Sequence, residues 1–237
     1  HASKAADIRR RPPFGRNPNR RSFFAMSSLR ELFVEYSNLT RSDGSALFCN
    51  GHTVCQTAVF GPKCLSSLKE HVSRMEIDVL FKRKTSNQNN IENKVVADWM
   101  KAAVEQIILT NLHPHSNLSI ITQEIENDGC VLATALNSIC CALVDAGVPM
   151  NGLIAASSVV IDKEDNLIID SSLKDCSEYK AVLTFAFESN KCEIVSMTTE
   201  GKFTHNQFTK CMQMCKSAAK QIFDFYSDSI KQRFVKL

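Results

Sequence analysis

The fold is decided by the stretch Asn127-Asp128-Gly129-Cys130-Val131-Leu132-Ala133-Thr134-Ala135-Leu136-Asn137 and its continuation Ala142-Leu143-Val144-Asp145-Ala146-Gly147-Val148-Pro149-Met150. A glycine opens the segment, an apolar run typical of a buried helix follows, and Gly147-Val148-Pro149 ends it. The backbone N–H groups at such a helix start attract anions. The turn itself, Gly129-Cys130-Val131, carries no cationic side chain, so any anion site here is weak.

Around this stretch, hydrophobic periodicity predicts strands and hairpins more often than helices. Strands are expected at residues 30–36, 45–48, 53–60, 73–82, 118–125, 153–161, 167–169, 181–188 and 193–197. Helices are expected at 91–112, at 130–146, and from the capping box Thr204-His205-Asn206-Gln207 to about Lys231. A cluster of strands followed by a helix occurs twice, with a break near residue 126. This pattern indicates an α+β fold with two similar sheet-and-helix halves in one domain.

Composition excludes several classes of protein. The chain has 237 residues, is 44% hydrophobic and 22% charged, and has a net charge of +3. These values are typical of a globular protein rather than a disordered or fibrous one. No apolar run approaches the roughly 20 residues of a membrane span, so no membrane partner is expected. The ten cysteines include no Cys-x-x-Cys pair, which favours reduced thiols and gives no support for a structural metal site.

The positive charge is concentrated in residues 1–25, which contain seven basic residues and one acid. One interpretation is a basic arm that binds nucleic acid. The interpretation we favour is a non-native or disordered segment ahead of a native start at Met26. The remaining residues, 26–237, are expected to form the folded domain and are slightly acidic overall.

Three motifs in order carry a family resemblance. They are Arg41-Ser42-Asp43-Gly44-Ser45-Ala46 with Gly51, then Phe60-Gly61-Pro62, and then the segment 127–150. Together they resemble the RNase PH family, and the resemblance covers nearly all of residues 27–237. It implies the RNase PH-type fold, which is ribosomal protein S5 domain 2-like.

Further segments resemble the RNase-PH-type subunits of the eukaryotic exosome core ring: 112–114, 143–150 and 181–186. That resemblance implies a role in RNA processing and degradation, including that of rRNA, in the nucleus, nucleolus and cytoplasm. The implied partners are RNA and the other RNase-PH-type subunits. Because an isolated subunit would leave a sheet edge unpaired, a homodimer is expected when it is purified alone.

The catalytic residues of the family are incomplete in this chain. Phosphorolysis needs arginines that bind the attacking phosphate and acids that assist the chemistry. The arginine of the family turn Gly-Thr-Arg falls on Val131. The two family aspartates fall on Cys176 and Val182, or on Asp175 and Ala181 after a one-residue shift. The resemblance therefore implies a non-catalytic subunit without a cofactor.

Two alternatives remain open. Asp170, Asp175 and Glu178 lie near the missing aspartates and are candidate ligands of Mg²⁺ or Mn²⁺ in a hydrolytic nuclease acting on RNA or DNA. A generic acidic turn is the alternative explanation for these three residues. In the second alternative, the chain is a binding module that brings another nuclease to nucleic acid.

Basic residues at strand ends are the candidates for nucleic-acid binding: Lys63, Lys82, Arg83 and Lys84. In ring subunits of the family, loops at such positions face the RNA channel, which would allow phosphate contacts. Solvated basic strand ends are an equally common explanation for this pattern.

Overall fold

A computed structural model describes residues 29–64, 74–84, 91–172 and 179–235. The first half is a five-stranded sheet in the order β1-β2-β3-β5-β4. Its strands are β1 (Leu32–Tyr36), β2 (Gly44–Asn50), β3 (Thr53–Cys64), β4 (Glu76–Lys82) and β5 (Ser116–Glu126). All neighbours are antiparallel except β4 and β5, which are parallel and are connected through helix α1 (Ile91–Glu105).

The second half begins with helix α2 (Val131–Ala146) and contains a four-stranded antiparallel sheet in the order β7-β6-β8-β9. Its strands are β6 (Ile154–Asp162), β7 (Leu167–Ile169), β8 (Tyr179–Glu188) and β9 (Ile194–Gly201), and helix α3 (His205–Val235) follows them. The predicted α+β class, the two halves and the break near residue 126 are confirmed. The proposed boundary at residue 26 lies outside the described residues and stays a prediction.

Helix α2 forms the centre of the molecule because nearly every side chain from Ala133 to Leu143 is buried. It packs against β2 and β3 of the first sheet and against β6 of the second. Asn137 holds the edge of β6: its Nδ2 donates to the Ala156 carbonyl at 2.9 Å, and its Oδ1 accepts from the Ala156 N–H at 2.7 Å. A strand edge that would otherwise carry unsatisfied buried groups is thereby closed.

The start of α3 was predicted correctly from its capping box, whereas the predicted end of α1 was wrong. The capping box is confirmed, since Thr204 and Gln207 exchange hydrogen bonds between side chain and backbone N–H. Helix α1, predicted to continue to residue 112, ends at Glu105. Beyond it, Ile108 forms a β-bridge with Met150, and Asn151 N–H donates to the Ile107 carbonyl at 2.8 Å. The apolar stripe therefore continues as buried chain after the helix has ended.

Candidate functional site

The turn before α2 takes its shape from two residues with left-handed backbone. Gly129 has φ 94° and Cys130 has φ 55°, and the helix proper starts at Val131. The Gly129 N–H is bonded to Asn127 Oδ1 at 3.0 Å, and Cys130 as the N-cap residue makes no side-chain cap. Thr53 fixes the turn, because its hydroxyl donates to the Gly129 carbonyl at 2.7 Å and accepts from the Asp128 N–H at 3.1 Å.

The cation that lies against this turn is Arg30, which sequence analysis did not select. Its Nη1 donates to the Asp128 carbonyl at 3.0 Å, and its Nη2 lies 3.4 Å from the Gly129 carbonyl. The same Nη2 forms an ion pair with Asp170 Oδ1 at 2.8 Å. The guanidinium therefore binds groups of the protein itself. A pairing between positions 140 residues apart leaves no local sequence signal.

Asp170, one of the candidate metal ligands, is fully engaged in this network. Its side chain is 3% exposed and its backbone has φ 52°. In addition to the Arg30 guanidinium, it accepts from the Arg30 backbone N–H at 3.2 Å and from Asn50 Nδ2 at 2.8 Å. A carboxylate with these partners joins the two halves of the molecule, and both of its oxygens already accept hydrogen bonds.

The protonation states around the turn follow from burial and from this ion pair. Burial lowers the pKa of Arg30, but the hydrogen bond and the negative charge of Asp170 outweigh it, and the net pKa is raised. Burial raises the pKa of the Cys130 thiol to about 12, with a further contribution from the charge of Asp170. The thiol is therefore neutral near pH 7 and is not a nucleophile there.

The four basic candidates lie at different levels of the first sheet. Lys63 of β3 and Glu76 of β4 both align with Asn117 at the start of β5, whereas Lys82 aligns with Gln123. Six residues of strand separate these two levels by about 20 Å. Lys63 lies over the Phe60 ring, with its Nζ 5.0 Å from the ring centroid. Lys63 is therefore well separated from Lys82, and nucleic-acid binding by the four residues stays a prediction.

Lys84 is the basic candidate that the structure brings beside the turn. An open cleft of about 390 Å³ is lined by Lys84 and four other residues: His52, Glu126, Asn127 and Asp128. Arg83 points elsewhere and pairs with Glu92 in the first turn of α1 at 3.1 Å. Sequence analysis assigned no role to His52, whose position in the 50–53 hairpin places it in this cleft.

The remaining acidic candidates, Asp175 and Glu178, lie outside the described residues. Within the described ranges, no group of three or more His, Cys, Asp or Glu side chains is placed to hold a metal ion. In the same ranges, no helix is both long and apolar enough to cross a membrane.

Comparisons with known proteins place the chain in a family. The model of the RNase PH 3' exoribonuclease family, domain 1, matches residues 28–149. The exosome complex exonuclease RRP46 homolog of Oryza sativa subsp. japonica is 27% identical over 235 residues, covering 92% of this chain and 95% of that protein. The exosome complex component Rrp41 of Archaeoglobus fulgidus is 28% identical over 225 residues, covering 88% and 85%.

Solved structures agree with the fold over both halves. The crystal structure of rice Rrp46 superposes with a TM-score of 0.80 at 27% identity, covering 92% of this chain and 98% of that chain. The Archaeoglobus fulgidus exosome with RNA bound to the active site superposes with a TM-score of 0.72 at 14% identity, a likeness of fold alone. The two sheets, the central helix α2 and the glycine turn before it show that this chain belongs to the RNase PH family of 3' exoribonucleases.

Proposed function

We propose that this protein is a non-catalytic, RNA-binding and structural subunit of an exosome-type ring that processes and degrades RNA from the 3' end. The relatives that support this role are named as exosome components and match the chain over most of its length. Residence in the nucleus, nucleolus and cytoplasm is part of the proposal. It follows from the kind of complex to which the relatives belong.

The non-catalytic assignment rests on the charged groups at the turn before α2. Val131 stands where the family arginine would bind phosphate, and it is aliphatic. The nearby guanidinium of Arg30 is bound to two backbone carbonyls and to Asp170. Within the described residues, the cation in contact with this turn is therefore already paired, so the backbone N–H groups would bind a phosphate dianion only weakly.

The assignment is tested with end-labelled RNA, incubated with and without inorganic phosphate and with Mg²⁺ or Mn²⁺. We expect no release of nucleoside diphosphates by the native chain. A matched variant, Cys130→Thr/Val131→Arg, restores the family turn and is expected to bind phosphate more tightly by calorimetry. Phosphate-dependent release of nucleoside diphosphates by the native chain would overturn the proposal.

The same assay separates the nuclease alternative, which would use hydrolysis of RNA or DNA. The proposal assigns the chain no metal cofactor, so adding Mg²⁺ or Mn²⁺ is expected to leave both polymers intact. Metal-dependent cleavage that is lost in Asp175→Asn would instead support a hydrolytic nuclease. Binding without cleavage, combined with failure to join the other ring subunits, would favour a module that recruits another nuclease.

For RNA contact we propose the β4 end of the first sheet, at Lys82 and Lys84. Lys84 lines the cleft next to Asp128, while Lys82 ends β4 on the same side of the sheet. Lys63 serves as the control because it lies at the opposite end of the sheet. In fluorescence anisotropy at low salt, Lys82→Glu/Lys84→Glu is expected to weaken binding about ten-fold and to reduce its salt dependence. An equal loss in Lys63→Glu would remove the basis for this surface.

The surface that we propose for a neighbouring subunit is the free edge of β9. This strand has eight residues, and Ile194 and Met197 on it are exposed. β9 carries one charged side chain, Glu200, whereas β4 carries three, and the edge strands β1 and β7 have only five and three residues. Long edges with few charges and no proline are the ones that pair with other chains.

A further inference from the structure

Glu124 is a charged side chain on the core face of the first sheet. It follows Leu118, Ile120 and Thr122 in the set of β5 side chains that faces the core, and it aligns with the buried Cys55 of β3. The residue is 6% exposed. Acidic side chains are almost never buried to this extent unless they are paired. The position of this carboxylate therefore needs a physical reason.

The partners of Glu124 satisfy its carboxylate only in part. Burial raises its pKa, while the charges of Arg83 and Lys84 and a hydrogen bond from the Lys84 backbone N–H lower it. Within the described residues, its Oε2 atom is buried and has no hydrogen-bond partner. The Arg83 guanidinium is bound instead to Glu92 of α1. A buried carboxylate with one unpartnered oxygen costs stability, so stability alone does not explain a charged group at this position.

The Lys84 N–H needs an acceptor because of where β4 ends. The ladder between β4 and β5 stops at the pair of Lys82 and Gln123, and residues 83–84 continue beyond it. Backbone groups past a strand end have lost their ladder partners and must find others. Strand β5 continues to Glu126, so one of its side chains can supply the acceptor. The Glu124 carboxylate thereby fixes the Lys84 backbone to the sheet after β4 has ended.

The residue held in this way is the cation of the cleft beside the turn. Lys84 lines that cleft together with His52 of the hairpin and residues 126–128. A lysine ammonium contacts a phosphate as a point charge on a long flexible stem. Fixing the backbone from which the stem extends reduces the freedom that is lost when the phosphate binds. An acceptor for the Lys84 N–H therefore affects how strongly its ammonium can hold a phosphate.

We propose that Glu124 is a positioning residue for RNA: by holding the Lys84 backbone at the end of β4, it keeps the Lys84 ammonium at the cleft, where it meets an RNA phosphate. The inference rests on the RNA contact proposed above for Lys84. Glu124 acts through its hydrogen-bond acceptor and not through its charge, because a negative charge close to Lys84 weakens the attraction of a phosphate.

Two substitutions that both remove the charge separate the acceptor from the charge. Glu124→Gln keeps a carbonyl oxygen for the Lys84 N–H, whereas Glu124→Leu has a similar size and keeps no acceptor. In fluorescence anisotropy with single-stranded RNA at low salt, Glu124→Gln is expected to bind at least as tightly as the native chain. Glu124→Leu is expected to bind about three-fold more weakly, with a salt dependence reduced as in Lys84→Ala. Equal affinities of the two Glu124 variants would overturn the inference.

A variant without the lysine distinguishes this inference from the proposal on which it rests. In the Lys84→Ala background, Glu124→Leu is expected to cause no further loss of affinity, because both changes act through the same ammonium. If Lys84→Ala binds RNA as tightly as the native chain, the contact at Lys84 fails and the inference fails with it. If Lys84→Ala weakens binding but Glu124→Leu does not, the inference alone fails.

A measurement without RNA tests the hydrogen bond itself. By NMR, the Lys84 amide is expected to exchange its hydrogen about ten-fold faster in Glu124→Leu than in Glu124→Gln. The Ile120 amide is the internal reference, because β5 is paired on both sides there, and its rate should be the same in both variants. Equal rates at Lys84 would overturn the inference. A rise of equal size at Ile120 would show that Glu124 supports the whole sheet, which would overturn a specific role at Lys84.

Discussion

At the scale of single residues, the buried Arg30–Asp170 ion pair joins the two halves of the molecule. Breaking a buried ion pair leaves one charge without its partner, which costs more than the pair contributes. Asp170→Asn keeps a side chain that tolerates left-handed backbone and removes only the charge. We expect it to lower the free energy of unfolding by about 2 kcal/mol in urea titrations.

Asp165 provides a control for this prediction because it also has left-handed backbone and also pairs with a cation, Lys180, at 2.6 Å. Its side chain is exposed, so water replaces the lost partner. Asp165→Asn is expected to leave the urea midpoint unchanged. Equal effects of the two substitutions would show that burial of the Asp170 pair has no special role.

Glu124 allows the direction of a pH-dependent change in stability to be predicted. Burial raises its pKa, and the opposing charges of Arg83 and Lys84 do not cancel the effect. Because the folded-state pKa lies above the unfolded one, ionisation costs stability. That cost is absent below the unfolded-state pKa, grows as the pH rises from there to the folded-state pKa, and is fully present above it. Glu124→Gln is therefore expected to be more stable than the native chain at pH 7.5, with a gain that disappears near pH 4.

The control for Glu124 is the exposed Glu126, two residues further along β5. Thermal unfolding of both variants is compared across this pH range. Glu126→Gln is expected to show no gain in stability at pH 7.5, because its side chain is exposed. A native chain that is as stable as Glu124→Gln at pH 7.5 would contradict the assigned cost of burial.

At the scale of elements, the end of α3 is held to the first half by one charged cluster. Asp145 at the C-terminal end of α2 is buried and accepts from Ser37 Oγ, from the Ser45 N–H and from Arg233. A carboxylate at a helix C-terminus opposes the helix dipole, so these donors stabilise it there. The Arg233 guanidinium also lies 5.1 Å from the centroid of the Tyr36 ring.

Arg233→Ala is expected to lower the free energy of unfolding by about 1–2 kcal/mol, because Asp145 loses a charged donor. Hydrogen exchange should increase in the last turns of α3 and remain unchanged in its first turns. Lys231→Ala, at an exposed position on the same helix, is the control. Increased exchange over the whole of α3 in either variant would contradict a local clamp.

At the scale of the whole molecule, the free edge of β9 predicts the oligomeric state. We expect the isolated chain to form a homodimer by light scattering. Met197→Lys on β9, at a position that is 50% exposed, is expected to yield monomers and to weaken assembly with other ring subunits. The control Leu80→Lys, at a 42% exposed position on β4, should remain dimeric. If the β4 variant alone were monomeric, the dimer contact would lie at β4 and the prediction for β9 would be contradicted.

Local features were predictable from sequence, and contacts between distant segments were not. The 50–51 hairpin and the Thr204 capping box depend on a few adjacent residues, and both are present. The end of α1 depends on pairing of residues 107–109 with 149–151, which hydrophobic periodicity does not contain. The separation of Lys63 from Lys82 follows from strand order, and the partners of Asp170 follow from how the two halves meet.

The Asn137 clamp limits how copies of this protein can assemble. The Asn137 amide bonds Ala156, and β7 pairs with residues 159–161 of the same strand. The edge of β6 that faces away from β8 is therefore already occupied. Among the described strands of the second sheet, β9 is then the long edge that can accept a foreign strand, because the other edge, β7, has three residues. Two copies that pair through the β9 edge occupy it in both chains, so this contact gives a closed pair instead of propagating into a fibre, and any further ring neighbour would have to use another surface.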